Sequence, residues 1–217
     1  MNTKKVFKII GIILVVVIAI IAIHTIRNFV IIKDLQNKIA QYSNSSNYYT
    51  KSVAVADGGT SVTMEYYKKD NKQVVFMERN LNGEISKISM YDNGERIDTF
   101  WDNKENKTVQ LDNKNIITVN IYNCLETENN WQTFLGSIVA RVKSSNANGK
   151  ECYSIKNFLS STSLTEDSEI YVEKDTGLLV KTVEGNRNSE REYEFGNVDN
   201  AIFEEPDISK YTIKDKE

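Results

Sequence analysis

The feature that most constrains this chain is the run from Ile9 to Ile23, fifteen residues with no charge and no hydroxyl, led in by Lys4, Lys5 and Lys8. A helix rises about 1.5 Å per residue, so Val6 to Ile26 is roughly 30 Å long, enough to cross a bilayer core. Lys8 reaches the headgroups by extending its aliphatic stem. The stretch predicts a membrane anchor, and everything after it reads as a tethered domain. The expected organisation is a tail at 1–5, a transmembrane segment at 6–26, a juxtamembrane helix and linker at 27–46, a β domain at 47–213 and a tail at 214–217.

A cleaved export signal is the competing reading, since a basic start and a short apolar run also begin such signals. Against it, Ala19 and Ala22 are three apart, and Ile23, His24, Thr25 and Ile26 follow without an A-x-A pattern. The only cysteines are Cys124 and Cys152, so no lipid-bearing cysteine lies near this end.

Positive charge flanking a first apolar segment stays on the cytoplasmic side. Lys4, Lys5 and Lys8 precede the run, whereas Arg27 and Lys33 follow it with Asp34 offsetting one of them. The expected location is a single-pass protein of the cell membrane with Asp34 to Glu217 outside. The chain carries −3 overall and its first 33 residues five cations and no acid, which leaves −8 for the remainder. Such a domain lacks the clustered cations that nucleic acid requires and as a whole gains nothing from anionic headgroups.

The outer part has an all-β texture. Runs rich in Val, Ile, Thr, Tyr and Phe alternate with turn signals: Asp57-Gly58-Gly59, Asn82-Gly83, Asn93-Gly94, Asn148-Gly149 and Gly185-Asn186. Pro206 is the one proline, which suits strands that need every backbone donor. Strands are predicted at 48–56, 61–68, 73–80, 84–91, 96–102, 107–111 and 116–121, then at 151–158, 169–173, 178–184 and 191–198. Two helices interrupt them. Phe29, Ile32, Leu35, Ile39 and Tyr42 draw one apolar stripe that ends at the polar break Ser43 to Asn47. Trp131, Phe134, Leu135, Ile138 and Val142 draw the second, with Asn129 or Asn130 as cap.

The fold class is therefore mainly β with some helix (α+β): an N-terminal transmembrane helix, then an antiparallel sheet that curves into a half-barrel, its apolar face covered by the two stripes. For any single residue in those stripes, ordinary core packing is the default. A helix over a concave sheet can also leave an apolar cavity, and Met64, Phe76, Met90, Trp101, Trp131 and Phe134 are the candidate ligand-binding residues.

Several local phrases resemble the bacterial lipoprotein-carrier superfamily of LolA/LolB type, which includes a sensor-regulator of envelope stress. They are Tyr171-Val-Glu-Lys-Asp-Thr-Gly-Leu-Leu-Val-Lys181, Tyr193-Glu-Phe-Gly-Asn-Val198, and Phe203-Glu-Glu-Pro-Asp207 with Tyr211 behind. An N-terminal helix before a run of hairpins agrees, over about 31–211. The resemblance implies a half-barrel that accepts acyl chains or lipidated segments and acts by binding. An anchor forbids shuttling, so the expectation is a tethered lipid- or lipoprotein-binding protein; the alternative is an envelope sensor whose partner is another envelope protein. In themselves the phrases are structural: Asp175-Thr176-Gly177 is a tight turn and Pro206 ends strand pairing.

Catalysis lacks parts. The single histidine, His24, sits at the membrane boundary, so His-dependent nucleophilic and zinc chemistry is unavailable to the outer domain. Gly58-Gly59 is not followed by a phosphate-loop lysine. The acidic neighbours Glu166 with Asp167, Glu190 with Glu192, and Glu204 with Glu205 read as solvated surface. Asp92-Asn93-Gly94-Glu95 and Asp102-Asn103-Lys104-Glu105 do not extend into a calcium loop. A carboxylate-based enzyme is thus the third-ranked reading, behind both binding modules, and no cofactor or metal is implied. Cys124 and Cys152 are a candidate disulfide closing a loop of about 28 residues, a crosslink of about 3 to 4 kcal/mol in the chain-entropy model; buried thiols are the other reading.

Overall fold

The computed structural model describes residues 3–56, 58–104, 106–112, 121, 123–158 and 168–214. The predicted strand 116–121, Ile121 apart, and the pair Glu166 with Asp167 lie outside them, as do Asp57 and Glu105 of two predicted loops. Among the described residues there are two α-helices and twelve strands, so the mainly β class holds. The chain forms two compact units, one from Met1–Ile39 and Asn123–Leu179, the other from Ala40–Tyr122 and Val180–Glu217.

In the first unit α1 runs unbroken from Thr3 to Ala40. Its side chains are exposed from Phe7 to His24, and Thr25 is the first fully buried residue. Beyond it Ile32, Leu35 and Ile39 are buried as the stripe predicts, with Phe29 half-buried. The second helix, α2 (Asn130–Val139), starts where Asn129 accepts the Gln132 N–H. Three antiparallel strands complete the unit in the order β7 (Arg141–Ala147), β8 (Lys150–Lys156), β9 (Ser168–Glu173). Strand β7 is absent from the prediction, and Val142, assigned there to the second helical stripe, lies within it. Its sequence, RVKSSNA, is polar, and its only buried residues, Val142 and Ala147, are five apart and so lie on opposite faces of the strand.

The stripe on α2 is the clearest departure from expectation. Trp131, Leu135 and Ile138, predicted to face the sheet, are 65%, 42% and 40% exposed, and Val139 is 49% exposed. The buried side is Thr133, Gly136 and Ser137. Small residues at i, i+3 and i+4 allow close backbone approach, and packing follows them rather than the apolar side chains.

The second unit is a sheet in the order β12-β6-β5-β4-β3-β2-β1-β11-β10. Six strands follow one another as antiparallel hairpins: β1 (Asn47–Ala56), β2 (Thr60–Lys69), β3 (Lys72–Leu81), β4 (Glu84–Asp92), β5 (Ile97–Asn103) and β6 (Lys107–Gln110). Strand β11 (Arg187–Phe195) lies against β1, and β10 (Leu179–Glu184) against β11. After two short 3-10 turns at Asn200–Phe203 and Ile208–Lys210, β12 (Thr212–Ile213) pairs parallel with β6.

Residues directly opposed in a ladder share a face, so the register sorts this unit. One face holds Val74, Tyr91, Phe100 and Val109, all buried, with Phe76 against them, and the chain's own C-terminal segment covers them through Phe203, Ile208 and Tyr211. Each such burial contributes roughly 1.5 to 3 kcal/mol. The other face holds Tyr48, Tyr66 and Val75, with Met64, Met90, Ile121 and Phe195 packed on them.

Candidate functional site

On the second face, strand pairing sets Met64 opposite Met77, Met77 opposite Ile88 and Ile88 opposite Trp101. These four form one row across β2 to β5, and all are half-buried. With about 4.8 Å between strands the row is roughly 14 Å long. A neighbouring row on the same face, Tyr66, Val75, Met90 and Thr99, borders it, and Tyr66, Val75 and Thr99 are buried. The row one step outward, Val62, Arg79, Ser86 and Asn103, is polar apart from Val62. Lys214 Nζ stands 4.2 Å over the Trp101 ring and closes the row's end.

Of the six ligand-binding candidates read from sequence, the sheet brings together three: Met64, Met90 and Trp101. Phe76 lies on the opposite face, edge-on to Tyr91 at 6.0 Å. Trp131 and Phe134 stack on each other in α2 at 5.6 Å, and Phe134 meets Phe29 of α1 at 6.0 Å. Sequence reasoning missed Met77 and Ile88. The signal was present, because the two-residue turn Asn82-Gly83 sets Leu81 opposite Glu84 and hence Met77 opposite Ile88.

The opposite face carries polar chemistry where the C-terminal segment crosses it. A cavity of about 210 Å³ lies among Tyr49, Tyr67, Glu194 and Asn197 to Asp199. The two tyrosine rings stack at 4.7 Å. Burial, then the nearby Glu65 carboxylate, pushes Tyr67 up to about 12. A second cavity, of about 240 Å³, is lined by Lys72, Val74, Tyr91, Asp92, Asn93, Phe203 and Glu205. Beside it Asp98 is fully buried: Oδ1 accepts the Asp112 N–H at 3.0 Å, and Oδ2 meets the Arg96 guanidinium at 2.9 Å as an ion pair. The same Arg96 nitrogen donates to Glu205 Oε2 at 3.1 Å. Burial, reinforced by the Asp98 charge, raises the Glu205 carboxyl above its ordinary value. The group works as a clamp on the segment around Pro206.

The acidic neighbours divide. Glu190 pairs with Lys181, Glu192 is exposed, Glu204 is exposed and Glu205 belongs to the clamp. Among the described residues no three His, Cys, Asp or Glu side chains converge. His24 Nε2 lies 3.1 Å from Ala140 O. The structure holds Cys124 and Cys152 as thiols, both fully buried in the first unit; Cys152 Sγ donates to Lys150 O at 3.5 Å, and burial raises its pKa.

The geometry defines a class, a mainly β domain with an apolar row on one sheet face, behind a helix long and apolar enough to cross a membrane. No family model and no curated protein matches the sequence. Among solved structures, the chain is similar to MucB, in its complex with MucA(peri), at 12% identity and a TM-score of 0.35 over 78% of this chain. It spans 58% of that MucB chain. It is also similar to a LolA superfamily protein from Nitrosomonas europaea at 8% identity and a TM-score of 0.24, over 80% of this chain and 97% of that one. Neither likeness assigns the chain to a family.

Proposed function

We propose that this is a membrane-tethered, extracytoplasmic binding domain that holds an apolar chain, a lipid, an acyl group or the lipidated part of a partner, along the row Met64, Met77, Ile88 and Trp101. The row itself carries the reading. Four large apolar side chains aligned across four strands and only partly buried are more than scattered surface hydrophobes. Two of them are methionines, whose unbranched thioethers adapt to irregular partners. Binding rather than bond making fits a surface with no converging titratable groups among the described residues. The bare apolar face of α1 from Phe7 to Ile23 supplies the tether.

The test is native mass spectrometry of the full chain taken from membranes in mild detergent, beside an Ile88→Glu variant. The expected result is a copurified lipid-sized adduct on the first and none on the second. Equal adducts on both refute the site. A stoichiometric protein partner lost in the variant, with no lipid, replaces this reading by the interaction ectodomain.

A further inference from the structure

Helix α2 is inside out for a protein in water. Its small and polar side, Thr133, Gly136 and Ser137, is buried, while Trp131, Leu135, Ile138 and Val139 lie on its outer surface. Their spacing, i, i+4, i+7 and i+8, makes one continuous apolar stripe. What surrounds this stripe follows from where α2 is fastened. The carbonyls at its C-terminal end have no partner within the helix, and side chains of α1 satisfy them. Asn28 Nδ2 donates to Ala140 O at 2.8 Å and to Ser137 O at 3.2 Å, and His24 Nε2 reaches the same Ala140 O. Arg27 Nη1 donates to Val142 O at 3.1 Å. Further along, Phe134 meets Phe29, and Gln36 Nε2 donates to Leu125 O at 2.6 Å. Thus α2 runs antiparallel to α1, with its C-terminal end level with residues 24–28.

That level is the outer boundary of the span. Counting about 30 Å of helix from Val6 ends near Ile26, and the side chains of α1 stay uncovered up to His24. Ile138 and Val139 therefore stand at about the level of the exposed Ile23 and Ile26 of α1, at the acyl boundary. Trp131 stacks on Phe134 at 5.6 Å, and Phe134 meets Phe29, three residues beyond Ile26, so the indole stands roughly 5 to 10 Å further out, at headgroup depth, where tryptophan is enriched. Arg27 meets Val142 O, which brings the exposed Arg141 and Lys143 on either side of Val142 near the same level, and all three match lipid phosphates in sign.

We infer that α2 is an interfacial helix, its Trp131, Leu135, Ile138 and Val139 stripe seated in the outer leaflet of the bilayer that α1 crosses. This rests on the reading of α1 as a membrane span. It adds a second contact that fixes how the first unit stands on the membrane.

The experiment reconstitutes the full chain carrying Trp101→Phe, which leaves Trp131 as its one tryptophan, into phosphatidylcholine vesicles with and without lipids brominated near the carbonyl end of the chain. Flotation of the vesicles reports α1. Trp131 emission reports α2. The expected result is flotation, blue-shifted emission protected from acrylamide, and loss of intensity to brominated lipid, as for an interfacial indole. Adding Ile138→Glu should abolish the quenching while the far-ultraviolet circular dichroism is unchanged. Flotation with unquenched, acrylamide-accessible Trp131 overturns the inference and leaves the span standing. Protection from acrylamide without lipid quenching shows a protein contact on the stripe and overturns it too. Failure to float removes the span, and the inference with it.

Discussion

Gly177 offers the sharpest quantitative test of the first unit. It closes the turn after β9, with φ at +73°, and its N–H donates to Glu173 O at 2.9 Å. A Cβ built there would lie 2.4 Å from Leu35 O and 3.0 Å from Ile39 N, so the turn packs directly on the backbone of α1. Gly149, in the β7–β8 turn, has nearly the same φ, +76°, and nothing within 4 Å of its Cβ position. The pair separates two costs. Gly149→Ala carries only left-handed strain, about 1 kcal/mol. Gly177→Ala carries that strain plus displacement of main-chain atoms that cannot rotate away, roughly 1 to 3 kcal/mol more. At roughly 2 to 4 °C per kcal/mol for a chain of this size, Tm falls by about 3 °C in the first variant and about 10 °C in the second. Thermal melts followed by circular dichroism in detergent micelles measure both. Equal shifts would refute the close approach of Gly177 to α1.

Other consequences are checked in the same way. Asn28→Ala removes the buried donor that serves Ser137 O and Ala140 O and should cost about 2 to 3 kcal/mol, with proteolysis beginning near α2; unchanged urea unfolding and cleavage rates contradict it. Arg96→Ala leaves the Asp98 carboxylate buried without its cation, so roughly 3 kcal/mol should be lost and the segment after Val198 should exchange amide hydrogens faster. Burial alone would raise Glu169, but hydrogen bonds from Ser154 and Lys156 hold it below its ordinary 4.5. Its contribution to stability is therefore complete above that value and lost as pH falls through the lower folded value. Glu169→Gln should flatten the acid limb of a stability profile below about pH 4.5, and an unchanged limb would show that the bonds are not formed. Neither Cys124 nor Cys152 should react with iodoacetamide until the chain is unfolded, when both should; a two-hydrogen mass deficit before reduction would show a bridge instead.

Much of this architecture is legible because local rules and global packing agree. The hairpins announce themselves at Asn82-Gly83 and Asn148-Gly149, where positive φ at both residues matches the turn. The stripe Ile32, Leu35 and Ile39 is buried as its spacing requires. Two failures have physical causes. Strand β7 is hard to read because Arg141, Lys143, Ser144 and Asn146 are exposed and its two buried residues, Val142 and Ala147, fall on opposite faces and draw no alternating pattern; the Asn148-Gly149 turn still requires a partner for β8. The α2 stripe was placed on the wrong side because the rule that apolar residues go inward assumes water on the outside. If the stripe meets lipid, as proposed above, that assumption lapses; the buried side is the one whose small residues, Gly136 and Ser137, allow close packing. For the site, alternation in β2 found Met64, but joining it to Met77, Ile88 and Trp101 needed the registers of three hairpins together.

The two faces of the larger sheet also differ in what covers them. Val74, Tyr91, Phe100 and Val109 are sealed by the chain itself, since Phe203, Ile208 and Tyr211 pack on them and Arg96 ties Glu205 down beside them. A ligand on that side would have to displace three apolar side chains and an ion pair at once. The cavities left there are small, and their rims carry Glu194, Asp199, Lys72 and Asp92, which suits water better than an acyl chain. On the other face the row Tyr66, Val75 and Thr99 is buried, and the row beside it is only partly covered. An apolar chain laid along Met64, Met77, Ile88 and Trp101 would desolvate existing apolar surface without breaking any hydrogen bond of the sheet, because the ladder bonds run within the sheet and the side chains stand off it. If the proposed binding is correct, this asymmetry between the faces, one closed by the C-terminal segment and one carrying a methionine-rich line, would confine a ligand to a single side of the sheet.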